Sequence, residues 1–422
     1  MNKWAKITLF TACACFGIYL AMSFVAGVFY GLGSAKLKRG DAKGALENFD
    51  QAIKLNKGTF YFYYSRAMGR VTTGDTNGAI LDFSRAIKLK PDYTEAYYQR
   101  ARLKNRMGDQ KGSLTDLNEI IRLNPRSTNA YFFRAYLMSA SGNRTNAVAD
   151  YTRVLELDPT MVTAYVNRGS IKKSSGDLEG AIQDFDKAIQ LDPGSAKAYA
   201  LRGAIKLSKE DDKGALNDLN AAVVLGPDMK STWMNRGIVK GHLKDYAGAI
   251  DDYSEAIKLD PKYSIAYRHR ASMEYGTREY KAAEADLLKC REGTETNGEY
   301  GEILLWIVRN ELHEPQQADQ ELAKYFLKNE KTKSPAWPRS LGSYLLGTQS
   351  ETELLNLAKE AKNAKERAGQ VCEAWYYIGT KKRLAGDKKS WETSMLKCLE
   401  TESTHFFEYR WAEKELHDAG VQ

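Results

Sequence analysis

The chain of 422 residues is 43% hydrophobic and 27% charged, the balance of a folded protein, and is long enough for two or three domains or one long repeat array. Its 62 Lys and Arg against 54 Asp and Glu leave +8, too thin an excess for a dedicated nucleic-acid binder, and only nine prolines exclude a collagen-like or linker-dominated chain. Five cysteines without paired Cys-x-x-Cys spacing and histidines scattered at 242, 269, 313, 405 and 417 make no metal-ligand pattern, so no metal and no cofactor are expected.

The N-terminus is apolar. Residues 7–33 carry no charge and follow Lys3 and Lys6. About 20 residues cross a bilayer at ~1.5 Å each, so 7–25 nearly suffice as a transmembrane helix. A cleaved signal peptide fits the same residues, with Val25, Ala26 and Gly27 as small residues near a cleavage site. Residues 1–25 are therefore expected to be a membrane anchor or a signal peptide. Lys36, Lys38, Arg39 and Lys43 oppose the orientation signal of Lys3 and Lys6, so charge alone does not orient the chain.

Beyond the apolar run, Pro91, Pro125, Pro159, Pro193, Pro227 and Pro261 recur every 34 residues. Aligned on that period, blocks begin at 26, 60, 94, 128, 162, 196, 230 and 264. Their fourth position is aromatic (Phe29, Tyr63, Tyr97, Tyr131, Tyr165, Tyr199, Trp233, Tyr267) and their eighth is Gly or Ala. Each block holds two stretches of helical periodicity, A and B, split by a turn such as Gly74-Asp75 or Gly176-Asp177. Small residues let the two helices approach, proline ends helix B, and only stacking of blocks buries the apolar faces. The pattern resembles the tetratricopeptide repeat family over 26–297. The resemblance implies an all-α superhelical solenoid of helix hairpins whose concave face binds peptides or partner proteins.

After 297 the period breaks. Helices are expected near 299–312, 317–328 and 352–367, with a hinge at 335–338. A repeat-like hairpin returns at 372–405, followed by a capping amphipathic helix, so 298–422 reads as a C-terminal helical domain. The run Cys372-Glu-Ala-Trp-Tyr-Tyr-Ile-Gly, a later Ala-Gly-Asp and Phe406-Phe-Glu-Tyr409 resemble the C-terminal region of bacterial lipoprotein NlpI-like repeat proteins. That resemblance implies an extracytoplasmic adaptor.

Position seven of seven blocks is arginine (Arg66, Arg100, Arg134, Arg168, Arg202, Arg236, Arg270), and position twenty-three of the same blocks is aspartate (Asp82, Asp116, Asp150, Asp184, Asp218, Asp252, Asp286). The two are present or absent together, which predicts ion pairs within each repeat rather than an arginine track for an anion. Lys104, Lys172, Lys206 and Lys240, at position eleven, read as a solvated helix face.

The family's geometry turns positions two, five and nine of helix A into the groove. That makes Tyr61, Tyr64, Tyr98, Phe132 and Tyr136 either a peptide platform or packing between hairpins. Position nine lacks the asparagine of family members that clamp a C-terminal carboxylate. Cys372 and Cys398, at positions one and twenty-seven of the last hairpin, fall at the same end of antiparallel helices. They are expected to form a disulfide in an oxidising compartment, or to be small buried thiols in the cytosol. Neither a phosphate loop, nor His-Glu-x-x-His, nor Gly-x-Ser-x-Gly occurs. The sequence thus reads as a non-enzymatic scaffold, membrane-anchored with its bulk periplasmic. A cleaved soluble periplasmic scaffold and a cytoplasm-facing tether are the alternatives.

Overall fold

A computed structural model of the chain describes residues 3–292, 298–329 and 336–421, with side chains from residue 16 onward save that of residue 336. Every regular element among them is a helix. The chain divides into two compact units, Met1–Leu191 and Asp192–Gln422. The expected boundary at 297 lies outside the described residues.

The first unit holds α1 (Lys3–Lys38) and α2 (Ala42–Leu55), then the hairpins α3 (Phe60–Thr73) with α4 (Thr76–Leu89) and α5 (Thr94–Arg106) with α6 (Gln110–Leu123). It ends with α7 (Thr128–Ala140), α8 (Arg144–Leu157), α9 (Val162–Ser174) and α10 (Leu178–Leu191). Each helix packs on the next, so helix B of one repeat covers helix A of its successor. Close approach within a hairpin needs the small eighth position. A Cβ on Gly169 would come within 2.8 Å of the Phe185 ring.

Helix α1 runs without a break through the expected junction at 25–26. Its C-terminal part is helix A of the first repeat, with Ala26 fully buried and Asn56 Nδ2 donating to Ser23 Oγ at 3.2 Å. Phe16–Lys38 is long and apolar enough to cross a membrane. Phe16, Ile18, Tyr19, Leu20, Phe24 and Val28 on it are exposed.

The second unit continues the hairpins with α11 (Ala196–Ser208), α12 (Asp212–Leu225), α13 (Lys230–His242), α14 (Tyr246–Leu259), α15 (Ser264–Gly276) and α16 (Tyr280–Glu292). There follow α17 (Gly298–Glu311), α18 (Pro315–Lys328), α19 (Ala336–Leu345), α20 (Glu351–Lys359), α21 (Ala364–Leu384), α22 (Lys388–Leu399) and α23 (Phe407–Asp418). Two expectations are corrected here. Pro338 belongs to the first turn of α19, where the missing N–H is no loss, so a helix stands where a hinge was expected. The helix expected at 352–367 is two: α20 stops at Lys359, and Asn363 caps α21 by accepting from Glu366 N at 2.8 Å. Pro335 lies outside the described residues.

Repeat turns share one geometry. The first or second residue after helix A is left-handed, and in five repeats it is glycine: Gly40, Gly74, Gly108, Gly142 and Gly176, at φ 81–86°. The same position in repeats six to eight is Glu210, Lys244 and Arg278, still at φ 64–67°. A side chain there is strained by roughly 1–2 kcal/mol.

Candidate functional site

All seven arginines at position seven grip the aspartate of their own repeat. Nε and Nη2 each donate to one carboxylate oxygen, at 2.6–3.0 Å, in a bidentate fork. The aspartates are buried and the arginines half-buried. Each guanidinium also lies 4.8–5.8 Å from the aromatic ring at position four, which gives that ring a second role as a cation–π floor.

The third nitrogen reaches out of the repeat. Arg66 Nη1 donates to Asp50, Arg100 to Ser84, Arg134 to Asn118, Arg168 to Thr152, Arg236 to Asn220 and Arg270 to Ser254, at 2.6–3.1 Å. These acceptors occupy position twenty-five of the preceding repeat. Pairing is therefore not confined within repeats; the same arginine staples two of them. The signal was present in the sequence, since position twenty-five reads Asp50, Ser84, Asn118, Thr152, Asp186, Asn220 and Ser254, then Leu288 where no arginine follows.

Position eleven corrects a second reading. Lys104, Lys172, Lys206 and Lys240 are not a solvated face: each ammonium sits 2.9–3.1 Å from the buried aspartate of its own repeat. Three of them, Lys104, Lys172 and Lys240, also donate to the carbonyl of the glycine in the first turn of helix B. In repeat eight the position is Glu274, set beside Asp286. Burial first, and then the charge of Asp286, push its carboxyl up to about 7. Arg66, although burial opposes its charge, is held above its ordinary value by Asp82 and Asp50. With acidic partners on every arginine fork, the array presents no unpaired guanidinium row to an anionic ligand.

The five groove aromatics separate into two groups. Tyr64 packs on Phe83 and Tyr93, Tyr98 on Phe133 and Phe132 on Tyr151, at centroid distances of 5.1–6.1 Å, so all three rings share in the core. Tyr61 and Tyr136 remain 40% and 53% exposed. Tyr61 stands edge-on to Tyr30 at 5.0 Å, which fixes its ring without covering it.

In the second unit the corresponding face of repeats seven and eight is covered by α23. Phe407 meets the His269 ring at 5.6 Å and stacks on Trp411, which packs edge-on against Tyr275 at 4.9 Å. At groove positions five and nine there, Arg268 is half-buried and Ser272 is buried. Glu415 accepts from Tyr376 at 2.9 Å and Trp391 at 3.2 Å, tying the helix to α21 and α22. The three strained turn residues all face this segment. Glu210 contacts His405 at 2.9 Å, Lys244 contacts Glu413 at 2.8 Å and Arg278 contacts Asp418 at 2.9 Å. Beside them a cavity of 330 Å³ is lined by Tyr280, Arg383, Trp391 and Glu415, among others, its charges already paired.

Cys372 and Cys398 face each other from α21 and α22 as buried free thiols, their sulfurs 2.9 Å apart. Burial, and then Cys372, push the Cys398 thiol well up.

Stacked two-helix hairpins with a 34-residue period, arginine-stapled from one to the next, define a helical repeat protein. Family models described as tetratricopeptide repeat match residues 30–94, 128–161 and 231–263, and one described as TPR repeat matches 169–209. These segments of the chain are tetratricopeptide repeats. No curated protein matches it. Among solved structures, PilF of Pseudomonas aeruginosa is 20% identical over 53% of this chain and 97% of its own, with a TM-score of 0.45. A tetratricopeptide repeat protein from Parabacteroides merdae is 17% identical over 58% and 97%, with a TM-score of 0.43. YrrB, described as a TPR protein with an unusual peptide-binding site, is 22% identical over 41% and 90%, with a TM-score of 0.37. The matched family segments end at 263, so the finer likeness of 372–409 to NlpI-like proteins has no counterpart among them.

Proposed function

We propose that the protein is a non-enzymatic membrane-anchored scaffold that captures a peptide segment of a partner on the helix A face of its early repeats. The observation that carries this reading is the contrast between two faces. Tyr61 and Tyr136 are open, with Tyr61 set edge-on against Tyr30, whereas the equivalent face of repeats seven and eight is filled by α23. Tyrosine offers contact area at little entropic cost, and a pre-positioned ring loses less on binding. The exposed apolar surface of α1 supports retention in the bilayer, because an uncovered Phe, Ile and Leu surface of this length is costly in water. The periplasmic side is favoured by the juxtaposed Cys372 and Cys398, which an oxidising compartment would join.

The test uses the full chain in native membranes, with a photo-crosslinking residue at Tyr61, at Tyr136 or at Ser272. Crosslinks to a partner are expected from the first two positions, and crosslinks within the chain to α23 from the third. Tyr61→Ala with Tyr136→Ala should reduce partner capture at unchanged helical content. Undiminished capture by that double variant would reject the platform. Extraction of the chain by alkaline carbonate would reject the anchor.

A further inference from the structure

We propose that Asp212, His242 and His405 form a binding site for a divalent transition-metal ion of the zinc class, which clamps the segment ahead of α23 to the turns of repeats six and seven. The three residues come from three elements: the first residue of α12, the last of α13 and the stretch between α22 and α23. One ligand atom from each lies within 4.8 Å of the other two. Ligands around tetrahedral zinc, at about 2.0–2.1 Å from the metal, stand roughly 3.3–3.5 Å apart. Small side-chain rotations close that gap, and His405 lies outside any helix.

The surroundings resemble those of a metal site in two respects. His405 has a carboxylate from outside the trio, its Nε2 lying 2.9 Å from Glu210 Oε2, while His242 Nδ1 already stands 3.0 Å from Asp212 Oδ1, close to ligand spacing. A carboxylate on one ring nitrogen orients the ring and leaves the other nitrogen as a donor. For His405 that leaves Nδ1 for the metal, with Glu210 as the orienting group. The two rings stand edge to face at 5.4 Å. The side chains of His242, Asp212 and His405 are 13%, 18% and 31% exposed, so the cluster is sheltered yet open enough for a water to complete the coordination.

Glu210 is the second observation. It holds a left-handed φ of 66° where repeats one to five use glycine, and its carboxylate is divided between His405 and Lys365. The positive charges nearby are Lys365, neutralised by Glu210, and buried Arg410; Asp212 supplies the anionic ligand of the site. Two imidazoles with a carboxylate select zinc, cobalt or nickel over magnesium or calcium. His242 and His405 stand too far apart in the chain for any spacing motif, which is why sequence reading expected no metal.

The test takes the full-length protein in detergent, stripped with a chelator, and titrates it with Co²⁺ and then Zn²⁺. One equivalent of cobalt should bind with the visible absorption of a low-coordinate site, and zinc should displace it. His405→Gln and His242→Gln should each weaken binding at least tenfold, the scale of lost ligands and their partners. Asp212→Asn serves if either histidine variant loses its helical content. Zinc should also slow hydrogen exchange across 403–418 in the parent but not in His405→Gln. No saturable binding below about 100 µM metal, or binding indifferent to both histidines, would overturn the site and leave a hydrogen-bonded cluster.

Discussion

Arg168 holds Asp184 through two parallel hydrogen bonds of 3.0 and 2.6 Å, while its remaining nitrogen donates to Thr152 of the preceding repeat at 2.9 Å. One side chain therefore sets both the angle inside a hairpin and the register between hairpins. Arg168→Leu should cost about 3–5 kcal/mol, because it leaves Asp184 buried beside Lys172 alone. Adding Asp184→Leu should recover much of that loss, since Lys172 can turn to solvent. Urea denaturation of both variants measures the coupling, and strictly additive losses would refute it.

Glu274 gives a pH dependence of defined sign. Its folded pKa of about 7 lies above the ordinary carboxyl value, so the protonated form suits the fold. The associated stability is fully present below about pH 4.5 and is lost as pH rises through 7. Glu274→Gln should therefore stabilise the second unit at pH 8.5 by on the order of 1 kcal/mol, discounted for solvent screening, and by little at pH 5. Thermal melts at the two pH values decide this. An equal effect at both would sink it.

The strained turns test how α23 is seated. Lys244→Gly with Arg278→Gly removes two exposed pairs worth about 0–1 kcal/mol each and relieves roughly 1–2 kcal/mol of backbone strain at each position, offset in part by the roughly 0.5–1 kcal/mol of extra chain entropy that each glycine loses on folding. Overall stability should change by less than about 1 kcal/mol. Hydrogen exchange in α23 should nevertheless accelerate. Unchanged exchange would mean that Phe407 and Trp411 alone hold the helix.

Cys372 and Cys398 report the compartment. On protein isolated without reductant from the periplasmic side, intact mass should show two hydrogens fewer and blocked alkylation. Closing the loop of about 25 residues should add roughly 3 kcal/mol. In reduced protein both thiols should alkylate slowly, because burial disfavours the thiolate of Cys398. Freely alkylated cysteines in natively extracted protein would remove this support for a periplasmic bulk.

The 34-residue period made the hairpins legible, because small and aromatic positions recur in eight blocks and prolines in six, all answering to one geometry. The Arg–Asp forks were legible for the same reason. The staple to position twenty-five was missed because Asp, Ser, Asn and Thr share only an acceptor oxygen, a weaker pattern than identity. Outside the period there is no copy to compare. The break between Lys359 and Ala364, the helix begun around Pro338 and the meeting of His242 with His405 all depend on packing among residues distant in the chain. Tyr64, Tyr98 and Phe132 fit either groove or core by sequence, and only their ring contacts assign them to packing.

The unbroken course of α1 through Ala26 has a mechanical consequence. With Phe16–Val25 in a bilayer, as proposed, no joint separates the span from helix A of the first repeat. The phase of one then dictates the azimuth of the other. A single residue inserted ahead of Ala26 would swing Tyr61 about 100° around the α1 axis relative to the lipid-embedded part and lift it by about 1.5 Å. Four residues would nearly restore the heading at a greater height. Partner capture that rises and falls with insertion length would show the anchor working as a rigid mast rather than a tether.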